Sequence, residues 1–132
     1  FSCQLNMDTS EVFLRHHPGI SLVQALKLLT SKKEMEGAVI SVMHTNVDDT
    51  EPALSILKKN WNGPMGSYPN SGWFKRPNWQ FENIISPWDL ASEAQRWVQM
   101  GVQVIGGCCG LGPDHIQALK EMLPTHIPLG GK

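Results

Sequence analysis

Apolar residues along this chain change their period in the same order four times over. "FSCQL" (Phe1–Leu5) is a short apolar opening that reads as a strand. In "SLVQALKLLTSKK", Leu22, Leu26 and Leu29 recur at helical spacing. Ser21 stands where a cap belongs, and Lys32 and Lys33 suit the negative end of a helix dipole. After Gly37, "AVISVMH" is a continuous run rich in β-branched residues, the pattern of a strand buried on both faces. "TEPALSILKKNW" reads as a second helix, capped by Asp48 or Asp49, with Pro52 in its first turn. "PMGSY" is a short strand. "SPWDLASEAQRWVQM" is a helix opened by Ser86-Pro87 and stopped by Gly101. "VQVIGG" is a fourth strand, and "DHIQALKEML" a last helix begun at Pro113 and Asp114 and followed by Pro124. Between the third strand and the third helix lies "PNSGWFKRPNWQFENII", a long connection of turn residues interleaved with aromatics.

Four strand–helix units, with no hairpin between strands, predict an α/β fold with a parallel sheet and helices outside it. Four units make either an open sheet or half of an eight-stranded barrel. A whole barrel takes about 250 residues, against the 132 here. Half a barrel leaves strand edges unpaired, and the chain starts at Phe1 rather than Met. Both point to a piece once completed by an N-terminal half, with self-association as the other outlet for open edges.

Composition narrows the function classes. A formal net charge of −1 gives no field to draw nucleic acid or an anionic membrane. No apolar run approaches the roughly 20 residues that span a bilayer, and no signal peptide is visible. Adjacent cysteines pair only through a strained ring. The three cysteines are therefore expected as reduced thiols in a cytoplasmic setting. Five tryptophans stand against one tyrosine, and Trp73, Trp79 and Trp88 read as core or lid packing ahead of a binding cage. The glycines do not form G-x-G-x-x-G, and no Walker-type lysine follows them, so a nucleotide site has little support.

In parallel α/β folds, functional groups gather at the C-terminal ends of strands. That rule selects Asn6, Asp8 and Thr9 after the first strand, and His44, Thr45 and Asn46 after the second. After the third come Tyr68, Asn70 and Ser71, and after the fourth Cys108 and Cys109. Two thiols and an imidazole are zinc donors, and a catalytic zinc keeps three protein ligands with one position open. Gly106, Gly107 and Gly110 would let the backbone turn both sulfurs toward one point. On the residues alone, two other readings stay open: a tight turn whose cysteines are small buried apolar groups, and a vicinal dithiol that oxidises reversibly. His44 is either a ligand or a hydrogen-bonded structural residue. Cys3 reads as packing, His115 as structural in a first helical turn, and His16, His17 and His126 as solvent-facing loop residues.

"GVQVIGGCCGLGPDHIQAL" (residues 101–119) and "YPNSG" (residues 68–72) resemble segments of the homocysteine S-methyltransferase family. That family includes betaine–homocysteine methyltransferase and the homocysteine domain of cobalamin-dependent methionine synthase. The resemblance implies a (β/α)8 TIM barrel, of which residues 1–132 form about the last four units of a homocysteine-binding domain. It implies zinc held by the two adjacent cysteines and by a third cysteine after the sixth strand, and methyl transfer to the thiol of homocysteine, giving methionine. Cys108 and Cys109 match the first two ligands. The third falls in "SVMHTN", where His44 stands in place of cysteine. A Cys–Cys–His site would carry one less negative charge, making zinc a stronger Lewis acid. Tyr68 and Asn70 are the candidate substrate contacts. The implied partners are homocysteine and a small methyl donor, a sulfonium, quaternary ammonium or folate. The family's contacts to the homocysteine amino group come from the first half of the barrel, so this chain alone is expected to be inactive. The alternative from another class is a non-catalytic zinc- or thiol-binding module, a truncated paralogue acting with a partner.

Overall fold

The computed structural model describes residues 1–32 and 35–125. It begins with three short strands, Cys3–Leu5 (β1), Val12–Leu14 (β2) and His17–Ser21 (β3), joined as an antiparallel meander. Leu22–Thr30 (α1) follows. Ile40–Asn46 (β4) leads into Val47–Asn60 (α2), and Met65–Asn70 (β5) into a hairpin of Trp73–Lys75 (β6) and Asn78–Gln80 (β7). Pro87–Met100 (α3), Val102–Ile105 (β8) and Pro113–Met122 (α4) complete the order.

Strands β4, β5 and β8 form a parallel sheet in that order, with Val42 opposite Ser67 and Ser67 opposite Ile105. The chain start lies along the free edge of β4. Phe1 N–H donates to the Ser41 carbonyl (2.6 Å), and Met43 N–H donates to the Phe1 carbonyl (2.7 Å), the bond pattern of one parallel bridge. The first strand, β4, β5 and β8 therefore sit side by side in chain order, as successive β/α units do. Helices cover one face of this sheet. Ala53, Leu54 and Leu57 of α2, Leu90, Ala94 and Trp97 of α3, and Leu119 of α4 bury themselves with Ile40, Val42, Met65 and Val102. On the other face Met43 and Val104 stay 41% and 37% exposed, with no helix of the described residues over them.

The caps show why the helices begin and end where they do. Ser21 accepts from Gln24 N–H while the Gln24 side chain accepts from Ser21 N–H, a reciprocal box at the head of α1. Ser86 caps α3 ahead of Pro87, and Gly101 ends it in the left-handed region at φ 102°. The start of the second helix differs from expectation. Helix α2 starts at Val47, so Asp48 and Asp49 occupy its first turn, where their charge suits the dipole, and Pro52 lies inside the helix. Thr50 hydroxyl donates to the Asn46 carbonyl (2.8 Å) and helps hold that early start.

The expected absence of hairpins is overturned twice. The stretch from Asn6 to Ile20 doubles back as β2 and β3, and the aromatic connection folds into β6 and β7. Both excursions use three- to five-residue strands too short to show a period. Helix α1 ends at Thr30, short of Lys32. Lys33 and His126 lie outside the described residues. No helix among the described residues is long and apolar enough to cross a membrane.

Candidate metal centre

Three strand ends meet near the C-terminal edge of the parallel sheet. The ladder between β4 and β5 shifts register between Met43 and Asn46. At that irregularity His44 takes φ 50°, a conformation few non-glycine residues adopt. Such bulges re-aim a side chain beside functional sites. The Ser2 hydroxyl donates to the His44 carbonyl (3.1 Å) and holds the bulge. Thr45, next in the chain, points the other way: its buried hydroxyl accepts from Cys3 N–H (2.9 Å) and donates to the Met43 carbonyl (3.0 Å).

The cysteine turn is stitched to the end of β5. Gly106 N–H donates to the Ser67 carbonyl, Cys108 N–H to the Pro69 carbonyl, and Ser71 N–H to the Cys109 carbonyl, at 2.9 to 3.0 Å. Only one of the three glycines expected to free this backbone does so by its dihedral. Gly110 sits at φ 80°, and a Cβ there would also run into the Ser71 carbonyl. Gly106 is needed for space, because a Cβ would lie 2.6 Å from the Tyr68 ring. Behind the turn, buried His115 accepts from Gly112 N–H at Nδ1 (3.1 Å) and meets the Ile85 carbonyl at Nε2 (2.8 Å). Those two partners require the tautomer with its proton on Nε2.

This scaffold brings His44, Cys108 and Cys109 together, with one donor atom from each within 4.8 Å of the others. Cys108 Sγ lies 3.6 Å from His44 Nδ1 and 3.9 Å from Cys109 Sγ, and Cys109 Sγ lies 4.0 Å from His44 Nδ1. A tetrahedral zinc with ordinary bond lengths needs about 3.8 Å between two sulfurs and about 3.6 Å between sulfur and nitrogen. The three observed edges fit that triangle to within about 0.4 Å. All three side chains are half-buried, leaving a path to a fourth position. Burial, and then the adjacent Cys108 thiol, push the Cys109 thiol above its ordinary range. A divalent cation reverses such a preference, since a coordinating thiol is deprotonated outright.

The other strand-end residues divide. Asn6 is a turn residue: its side-chain oxygen accepts from the N–H groups of Asp8 and Thr9, and both of those residues are exposed. Asn70 is buried, and its amide donates to Asn46 Oδ1 (2.9 Å). Ser71 accepts from Ile85 N–H (2.9 Å) and ties the connection to the site. The Tyr68 ring packs over Gly106 at the start of the cysteine turn. Cys3 is fully buried, and that burial raises its thiol pKa to about 11, as expected of packing. His16 and His17 are exposed, although His17 opens a strand. Among the aromatics, Trp73, Phe74 and Trp79 wall a cavity of about 500 Å³ that reaches His44. Arg15 lines the same cavity, and no sequence signal marked it, since it arrives on the antiparallel excursion.

Two thiols and an imidazole converging at the strand ends of a β/α protein form a group that could hold a soft or borderline cation. The particular family is also clear: the chain belongs to the homocysteine S-methyltransferase family, whose sequence pattern matches residues 7–123. It is 30% identical over 108 residues to homocysteine S-methyltransferase 1 of Zea mays, a match covering 80% of this chain and 33% of that protein. It is 29% identical over 89 residues to homocysteine S-methyltransferase YbgG of Bacillus subtilis, covering 62% and 26%. A selenocysteine methyltransferase of Astragalus bisulcatus is 32% identical over 75 residues, covering 54% and 22%. The chain thus spans about a third of the length of the first of these relatives, and less of the others.

Proposed function

We propose that this chain carries the zinc-binding, thiol-activating part of a methyltransferase that moves a methyl group to the sulfur of homocysteine. The observation that supports it most is the triangle of donors, whose edges match those of a zinc tetrahedron with one corner open. Cys108, Cys109 and His44 would hold the ion. Bound there, zinc would supply Lewis acidity that keeps a substrate thiol as its nucleophilic thiolate at neutral pH.

The chain's own residues do the rest by position. The bulge at His44 and the Ser2 bond to its carbonyl fix the imidazole. The backbone bonds from Cys108 and Ser71 hold both sulfurs over the end of β5. Trp73, Phe74 and Trp79 make one wall of the adjoining cavity apolar. The methyl carbon then gains a bond to the substrate sulfur as its bond to the donor breaks. No side chain is needed as a base at that sulfur.

We further infer that residues 1–132 are four of eight units of a (β/α)8 barrel. Support comes from the side-by-side order of the first strand, β4, β5 and β8, and from the apolar face that carries Met43 and Val104. On this reading a second half covers that face and the chain alone does not turn over. The free thiols fit a reducing, cytoplasmic compartment. X-ray absorption at the zinc edge tests the thiol step. The zinc-loaded chain is expected to show two sulfur neighbours and light-atom neighbours, and homocysteine to add a third sulfur. A first shell unchanged by homocysteine would favour a non-catalytic metal module instead.

A further inference from the structure

The cavity beside the metal centre has a polar wall opposite its aromatic one. His44 belongs to both the donor triangle and this cavity, so the cavity adjoins the three donors on the imidazole side. The polar wall carries Arg15 and the imidazoles of His16 and His44, and no carboxylate lines it. It is therefore a place for an anion.

Arg15 is held but not spent. Its Nη2 donates to Asn46 Oδ1 (3.4 Å), while its Nε is buried without a partner. Asp49 feels the charge of Arg15, yet no carboxylate pairs with that guanidinium among the described residues. Asn46 Oδ1 also accepts from Asn70 Nδ2 (2.9 Å), and Asn70 is only 1% exposed. A buried amide thus holds an exposed one, and the exposed one steadies the guanidinium. With its oxygen committed twice, Asn46 keeps its amide nitrogen free to donate. Guanidinium forks recognise carboxylates by two parallel bonds, which lysine cannot reproduce.

Building on the thiol-activating function proposed above, we propose that Arg15 anchors the carboxylate of the thiol substrate and so selects an amino-acid thiol over a simple alkyl thiol. Asn46 and Asn70 are positioning residues that set the direction of the fork. The site gains its specificity from the antiparallel excursion of β2 and β3, which has no part in holding the metal.

Calorimetric titration of the zinc-loaded chain with two probes tests this. One is homocysteine; the other is 3-aminopropane-1-thiol, the same molecule without its carboxylate. The chain is expected to prefer homocysteine. Arg15→Met should weaken homocysteine binding about tenfold to a hundredfold, as loss of a charge-assisted pair does, and leave the amine thiol unchanged. Arg15→Lys should recover only part of the loss. An Arg15→Met chain that keeps the preference, or that loses both probes equally while retaining its zinc, would overturn the assignment. A zinc-loaded chain that binds neither probe before any substitution overturns the assignment, whereas the zinc-edge spectrum with homocysteine tests the thiol-activating function separately.

Discussion

His115 holds the cysteine turn from behind, so removing its ring should cost more than its position in a first helical turn implies. The structure gives it two bonds. Nδ1 accepts from Gly112 N–H at 3.1 Å, and Nε2–H donates to the Ile85 carbonyl at 2.8 Å. The residue is 9% exposed, so water reaches neither partner freely. Each bond is worth about 1 kcal/mol net, and a buried group left unpaired costs about 1–3 kcal/mol. His115→Ala orphans two backbone groups and opens a small cavity, for a loss of about 2–4 kcal/mol. Domains of this size have about 5–15 kcal/mol in hand, so the loss shows clearly as a lower urea midpoint at constant slope. Asn at this position can still accept from Gly112 N–H but falls short of Ile85, so His115→Asn should recover roughly half of the deficit. Because Ile85 N–H also bonds Ser71, whose own N–H bonds Cys109, amide exchange should quicken at Ser71 and Leu111. A loss below about 0.5 kcal/mol in the alanine variant, or equal losses in both, would refute the two-bond account.

Other consequences follow from neighbouring features. Gly110→Ala places a methyl group against the Ser71 carbonyl at φ 80°, and thermal unfolding should report a loss of about 2 kcal/mol or more; a neutral variant would mean that the turn differs from this description. Cys3 supplies a pH test. Its folded thiol pKa is raised to about 11 from 9.0 by burial, so the folded state holds the proton more tightly than the unfolded one. That stability is complete below about pH 9 and fades as pH rises toward 11, by about 2–3 kcal/mol. Denaturant midpoints across that window should fall more steeply for the natural chain than for Cys3→Ala, and parallel curves would refute the assignment.

Much of this fold can be read in the sequence where elements are long and capped. Ser21 with Gln24, Ser86 with Pro87, and Gly101 each mark a boundary that the structure keeps. The runs around Val42, Met65 and Val102 mark the parallel strands because both faces are largely apolar or small. The two excursions escaped because strands of three to five residues are too short to show a period. Pro52 misled for a related reason: a proline well inside a helix is costly by propensity, but the helix starts early enough for Thr50 and the two aspartates to support its first turn. That His44, Cys108 and Cys109 would come together was legible from their places at or just beyond strand ends, His44 standing where the family resemblance implied a cysteine. Arg15 was not, because nothing in "FLRHH" tells which way a hairpin will carry it.

Zinc content of the purified chain tests the central claim most directly, measured by elemental analysis beside His44→Ala, Cys108→Ser and Cys109→Ser variants that remain folded. The account predicts about one zinc per chain, held by three ligands in the manner of a catalytic site, and a marked loss in every variant. Full occupancy in His44→Ala would remove the imidazole from the ligand set. A folded natural chain that takes up no zinc would contradict the account.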